Sequence, residues 1–283
     1  MKLLDQFAEE VLRRGYVRFD PHHHCVPGRN GSLVKILERA FGRLDMVNVV
    51  DFVNQRADGV SDDEQKFVRL TDESHVADAR SRGYEVEVGD FYVFARDPLA
   101  ERVLAIGGSK EIRSGKKEKT QTYRGQGADV LVVGVRRGNV ALPADSFGDV
   151  VDQYNDGELF VGSNVSSQAE VIEHNGNGWF LPIALQNRCN RRAVREYEAV
   201  LVEGSDQHRT KFKGSYNKIP VKYLAFHDER ALRASVHQSI VEGNFEGVHR
   251  PNSLFDVMHH MAYVPLWNIA QKVRRLVGSK TEA

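Results

Sequence analysis

Between residues 84 and 225 the chain reads as strand after strand. "YEVEVGDFYVFARD" (84–97) alternates and then runs apolar and aromatic. "RVLAIGG", "ADVLVVGVRRGNVAL", "GELFVGS", "AEVIEHNGNGWFLPI" and "EYEAVLVEG" continue that style, punctuated by Gly, Asn and Asp. A period of two suits a half-buried strand and not a helix. Helical periodicity brackets this middle. At the start, Leu3, Leu4, Phe7, Val11 and Leu12 fall on one face of "MKLLDQFAEEVLRRG". Near the end, Asp228 caps "ERALRASVHQSIVEG", where Leu232, Val236 and Ile240 recur every fourth residue, and "NSLFDVMHHMAYV" and "LWNIAQKVRRLVG" follow in kind. The expected fold is α+β: a central, largely antiparallel β-sheet or barrel flanked by N- and C-terminal helices. Three regions result: 1–83 mostly helical, 84–225 β-rich, and 226–283 helical. One helix is expected inside the middle region, around 187–197. "HNGNG" (174–178) holds Asn-Gly twice and predicts a hairpin.

Within the first region "YVRF" reads as a strand ended by Asp20-Pro21. "DPHHHCVPGRNGS" (20–32) then reads as a turn with one buried and two exposed imidazoles. Ser32 caps "LVKILERAFG", and "DMVNVVDFVN" suits a strand or a buried helix. Ser61 is placed to start a helix in "SDDEQKFVRL", and "ESHVADARSRG" a helix ending at Gly83. Cys25 and Cys189 make no disulfide framework, and the N-terminus lacks the character of a secretory leader. No apolar run approaches the roughly 18–20 residues of a membrane span. A cytoplasmic protein with no membrane partner is expected.

Net charge is zero over 283 residues, but it is unevenly spread. Residues 101–127 carry 7 Lys+Arg against 3 Asp+Glu, residues 128–175 carry 2 against 8, and residues 176–224 carry 9 against 4. Folded together, the two basic blocks would attract phosphates; kept apart, they are solvated faces paired with the acidic segment. The first block, 107–127, reads as a long loop in which Lys116, Lys117, Lys119 and Arg124 could order over a nucleic-acid backbone. Its Gly125–Gly127 precedes a strand-like run and is no dinucleotide fingerprint. The second block offers Arg188, Arg191 and Arg192, then Arg209, Lys211 and Lys213 interleaved with Phe212 and Tyr216, so that cations hold phosphates while rings stack on bases. DNA or RNA is the partner these residues suggest.

Catalytic groups are fewer. His208 and His174 are the candidate proton carriers, since imidazole titrates near neutrality. A divalent metal is a possible cofactor. His22 and His24 lie two apart on an extended chain and can share one ion only if further ligands converge from elsewhere. Asp51 with Glu64–Lys66 gives the acids and lysine of a restriction-type nuclease core, though "SDDEQK" sits poorly in a strand. "EHNGNGWFLPIALQNRCNRRAVREY" (173–197) resembles the HNH nuclease pattern, which implies His174 as base and "LQNRCNRR" as the start of its helix. It departs from that pattern in its short loop, its single cysteine and the lack of a following metal-binding histidine. "TYRGQG" (122–127) resembles the β-barrel domains of the PUA and SRA kind, which read modified or flipped bases. The expected function is action on nucleic acid, as a nuclease or base-directed enzyme. The alternatives are a non-enzymatic, modified-base binding module and an enzyme on a small anionic metabolite.

Overall fold

A computed structural model describes residues 1–24, 32–55, 61–63, 65–113, 129–142, 144, 146–154, 156–162, 169–176, 181–206, 212 and 214–252. The first half of the chain runs α1 (Lys2–Arg14), β1 (Tyr16–His23), α2 (Leu33–Ala40), β2 (Met46–Gln55), β3 (Ser61–Asp63), α3 (Lys66–Leu70), α4 (Glu73–Ser81), β4 (Glu85–Val88), β5 (Tyr92–Asp97) and β6 (Arg102–Arg113). The second half runs β7 (Asp129–Val135), α5 (Phe147–Val151), β8 (Leu159–Gly162), β9 (Val171–Asn175), α6 (Leu181–Tyr197), β10 (Val200–Gly204), β11 (Tyr216–Pro220), α7 (Glu229–Val241) and β12 (Glu246–Val248).

The strands join one twelve-stranded, nearly closed, barrel-like sheet in the order β10-β9-β8-β7-β6-β2-β1-β11-β12, with β3 on β2 and the β4–β5 hairpin on β6. Most pairings are antiparallel; β1–β2, β2–β6, β8–β9 and β9–β10 are parallel. Alternation along each strand divides the core. Met46 and Val50 of β2 pack with Val17, Phe19, Leu131, Val133, Val171 and Val202, and with α1 and α7. Val47 and Val49 turn the other way, onto α2, α3 and α4. The α1 face buries Leu3, Leu4, Phe7 and Val11, each stabilising by about 1.5–3 kcal/mol. Gly15 ends that helix at φ 85°, a left-handed conformation that would strain other residues. Asp228 caps α7 by accepting from Ala231 N at 2.7 Å.

The ends of the sheet meet where β10 lies against β1 and β11. Asp206 N donates to His22 O at 2.8 Å. The Asn217 side chain substitutes for a ladder rung: its Nδ2 donates to Glu203 O at 2.8 Å, and its Oδ1 accepts from Glu203 N at 3.0 Å.

Several sequence expectations change. β1 does not stop at Asp20-Pro21 but continues through His23, and His22, His23 and His24 are all buried, so the solvated-turn reading fails. The reason is that polar partners from distant strands surround them. β9, which carries the start of "HNGNG", pairs parallel with β10 across α6 and with no following antiparallel strand, and α6 starts at Leu181, earlier than expected; residues 177 and 178 lie outside the described residues. A parallel pair needs a crossover helix, and α6 supplies it. Residues 61–63 are a strand on β2 instead of a helix start. Residues 107–113 belong to β6 and not to a loop, with Lys110 buried. "DMVNVVDFVN" is a strand.

A candidate metal centre

Four strands end at one place. The register of β1 on β2 shifts between Asp20 and His23. Such an irregularity re-aims the side chains beyond it. After the shift, His22 and His24 turn toward each other, their Nε2 atoms 2.9 Å apart. His24 stacks on Phe52 of β2, ring centroids 4.8 Å apart. Glu111 of β6 brings Oε2 to 3.3 Å from His24 Nε2 and 3.7 Å from His22 Nε2. Asp206, just past β10, brings Oδ1 to 3.4 and 3.8 Å from the same nitrogens. The ligand atoms of His22, His24 and Asp206 lie within 4.8 Å of one another.

A second layer holds this set. His22 Nδ1 lies 2.6 Å from Glu173 Oε1 of β9. That carboxylate keeps the hydrogen on Nδ1 and turns the Nε2 lone pair inward, as carboxylates behind metal-binding histidines do. Glu173 has room because residue 204 is glycine; a Cβ there would overlap Glu173 Oε1. Asn190 of α6 holds the backbone beneath, its Nδ2 donating to Glu173 O at 2.7 Å. Asp20 accepts from Ser205 Oγ at 2.6 Å and from His22 N at 3.1 Å, tying β1 to β10. Burial pushes the Asp20 carboxyl up to about 7 against those hydrogen bonds.

The acids around His22 favour positive charge at this centre. Burial pulls the His22 imidazolium down, but the charge of Glu173, hydrogen bonds to Glu111 and Glu173, and Asp206 together outweigh it. His22 stands well above the ordinary imidazole range. Burial raises Glu111, yet His22 and His24 overcome it and hold its carboxyl well below the usual range. Glu173 Oε2 is buried without a hydrogen-bond partner among the described residues. Two imidazoles with carboxylates fit Zn²⁺, Fe²⁺ or Mn²⁺ better than Mg²⁺ or Ca²⁺, which prefer all-oxygen shells.

His174 stands next to Glu173 on β9, where alternation turns it to the other side of the strand. There Arg191 Nη1 donates to His174 Nε2 at 2.8 Å. His174 Nδ1 therefore carries the hydrogen and donates to Glu203 Oε1 at 2.9 Å, while His249 Nδ1 donates to Glu203 Oε2 at 2.8 Å. The two rings stack 4.1 Å apart. Their ligand atoms also lie within 4.8 Å of one another, but every one already has a complementary partner.

Of the other predicted residues, Arg188, Arg191 and Arg192 are exposed on α6. Lys116, Lys117, Lys119, Arg124, His208, Arg209, Lys211 and Lys213 lie outside the described residues, as do Cys25 and the helices expected after 252. Asp51 pairs with Lys110 at 2.9 Å and accepts from Lys66 N; Glu64 is not among the described residues. "LQNRCNRR" does structural work: Asn187 donates to Asn175 O and accepts from Asn175 N. Sequence reasoning missed Glu111, Glu173, Asp206, Glu203 and His249. The available signal was an acid at the end of an apolar strand-like run, in "IGGSKEI", "EVIEHN" and "VLVEGSD".

No protein-family model matches the chain, and no curated protein does. Among solved structures, PsfC from Pseudomonas syringae PB-5123 is similar, at a TM-score of 0.50 and 12% identity over 92% of this chain and 99% of that one. At that identity the likeness concerns the fold alone. No helix among the described residues is long and apolar enough to cross a membrane.

Proposed function

We propose that this chain is a metal-dependent hydrolase of phosphate esters, with the ion held by His22, His24, Asp206 and Glu111. The observation that carries the reading is the convergence of two imidazole nitrogens and two carboxylates, buried except for the half-buried Asp206, at the end of the barrel-like sheet. An ion bound there would supply a Lewis acid and a water acidified toward neutrality. Glu173 keeps His22 in the ligating tautomer, and Ser205 with Asp20 fixes the strand that carries it. In the reaction, water oxygen bonds to phosphorus, the P–O bond to the alcohol breaks, and the alcohol leaves with a proton. The anionic substrate is supported by the sequence leaving Asp206, which places His208, Arg209 and Lys211 within five residues of a ligand. Enclosure of the ligands favours a terminal phosphate over a duplex lying flat. That phosphate belongs either to a nucleic-acid strand end or to a small anionic metabolite.

The test is release of inorganic phosphate from a generic aryl phosphate, from 5′- and 3′-phosphorylated oligonucleotides and from sugar phosphates, with Mn²⁺ or Zn²⁺ restored to chelator-stripped protein. Turnover that needs the metal and disappears in Asp206→Asn is expected. Metal-independent turnover, or none on any ester, contradicts the reading. Oligonucleotide and metabolite arms separate the two sources, and nicking of plasmid tests for an internal nuclease.

A further inference from the structure

The α6 helix has two unlike faces. Asn187, Asn190 and Ala193 are buried against β9. Arg188, Arg191, Arg192 and Arg195 are exposed. These four arginines with Cys189 line a cleft of about 460 Å³. Arg191 is committed to His174. Arg188, Arg192 and Arg195 make no ion pair with any described residue, although the helix lies in a molecule of zero net charge. Three guanidinium groups on one cleft, with no carboxylate of the described residues paired to them, make a local positive surface that attracts anions.

We infer that this cleft is a docking surface for a single strand of nucleic acid, held through its phosphates. From Arg188 to Arg195 the helix rises about 10 Å, and a stacked strand carries one phosphate per ~3.4 Å. The stripe therefore matches about three successive charges. A cleft of this volume takes a small ligand or a short stretch of strand. Guanidinium planes and their methylene stems also offer faces on which bases stack. Arg191 adds a link: it holds His174, the chain neighbour of Glu173, so the stripe begins beside the strand that orients His22. The surface is independent of the hydrolase reading. Joined to that reading, it names nucleic-acid strands as the substrate class.

The test is fluorescence anisotropy of a labelled short oligothymidylate against chelator-stripped protein, over a potassium chloride series. Binding is expected to weaken with salt with a log–log slope of about −2, from three phosphates at −0.7 each. Arg192→Glu with Arg195→Glu is expected to lower affinity at least ~10-fold, with an unchanged Tm because both side chains are exposed, and with unchanged hydrolysis of a small aryl phosphate. Absence of binding, a slope near zero, variant binding equal to the unaltered protein, or preference for duplex overturns the inference. Because the assay needs neither metal nor turnover, failure of the hydrolase reading leaves it standing, and the reverse also holds.

Discussion

Two histidine clusters lie on neighbouring faces of the same strands, and they are built on opposite principles. Around His174 every polar atom meets its complement: Arg191 gives a hydrogen to His174, and His174 and His249 each give one to Glu203. Around His22 the two Nε2 atoms face each other with Glu111 and Asp206 beside them, so that four groups of metal-ligating type meet at one centre. The outer cluster is finished as protein. The inner one brings two imidazoles and two carboxylates from strands distant in sequence to one centre. The pairing around His174 thus separates two groups that inter-atomic distance alone would call equivalent metal sites.

The largest effect expected from breaking this contrast is at the inner ligands. His22→Ala or Asp206→Asn should abolish metal binding, measured as metal per chain after dialysis, while His174→Ala and His249→Ala retain it. Another buried histidine sharpens the electrostatic side. Burial, assisted by Arg233, pushes His237 down to about 4. The unfolded chain then binds the extra proton first, so this stability is full above pH 6.5 and is lost as pH falls toward 4. The loss is about 3 kcal/mol, and His237→Phe should flatten it in urea titrations across that window. His22, among acids, shifts the other way.

Next in size is Asn217→Leu. It removes the amide that bridges Glu203 N and O, and should cost about 2–3 kcal/mol in urea unfolding. Glu173→Gln retains the inner ligands but loses the charge behind His22, and metal affinity should fall by about 10–100-fold. A Co²⁺ absorption spectrum with altered position separates that positioning role from simple unfolding. The smallest effect is at the outer cluster: His249→Ala should reduce stability by about 1 kcal/mol and leave metal affinity unchanged.

The sequence made the architecture legible where periodicity is strong. The alternation of 84–97, the helical stripe of Leu3, Phe7 and Val11, and the caps at Ser32 and Asp228 all depend on neighbours within one or two turns. The site was legible only in half. His22 and His24 stood out as a pair, and the remark that partners must converge on them names the missing information. Asp20 and Ser205, which lock the two strands together, are 185 positions apart. No local pattern encodes that meeting; the parallel β9–β10 pairing and the closure through Asn217 create it. "HNGNG" misled for the same reason, since its local hairpin preference yields to the crossover that places Glu173 behind His22.

Isothermal titration of Mn²⁺ or Zn²⁺ into chelator-stripped protein tests the role of the inner cluster most directly. Binding of at least one equivalent, with protons released, present in His174→Ala and absent in His22→Ala, is the predicted result. No binding at all, or binding that survives His22→Ala and vanishes in His174→Ala, would contradict it.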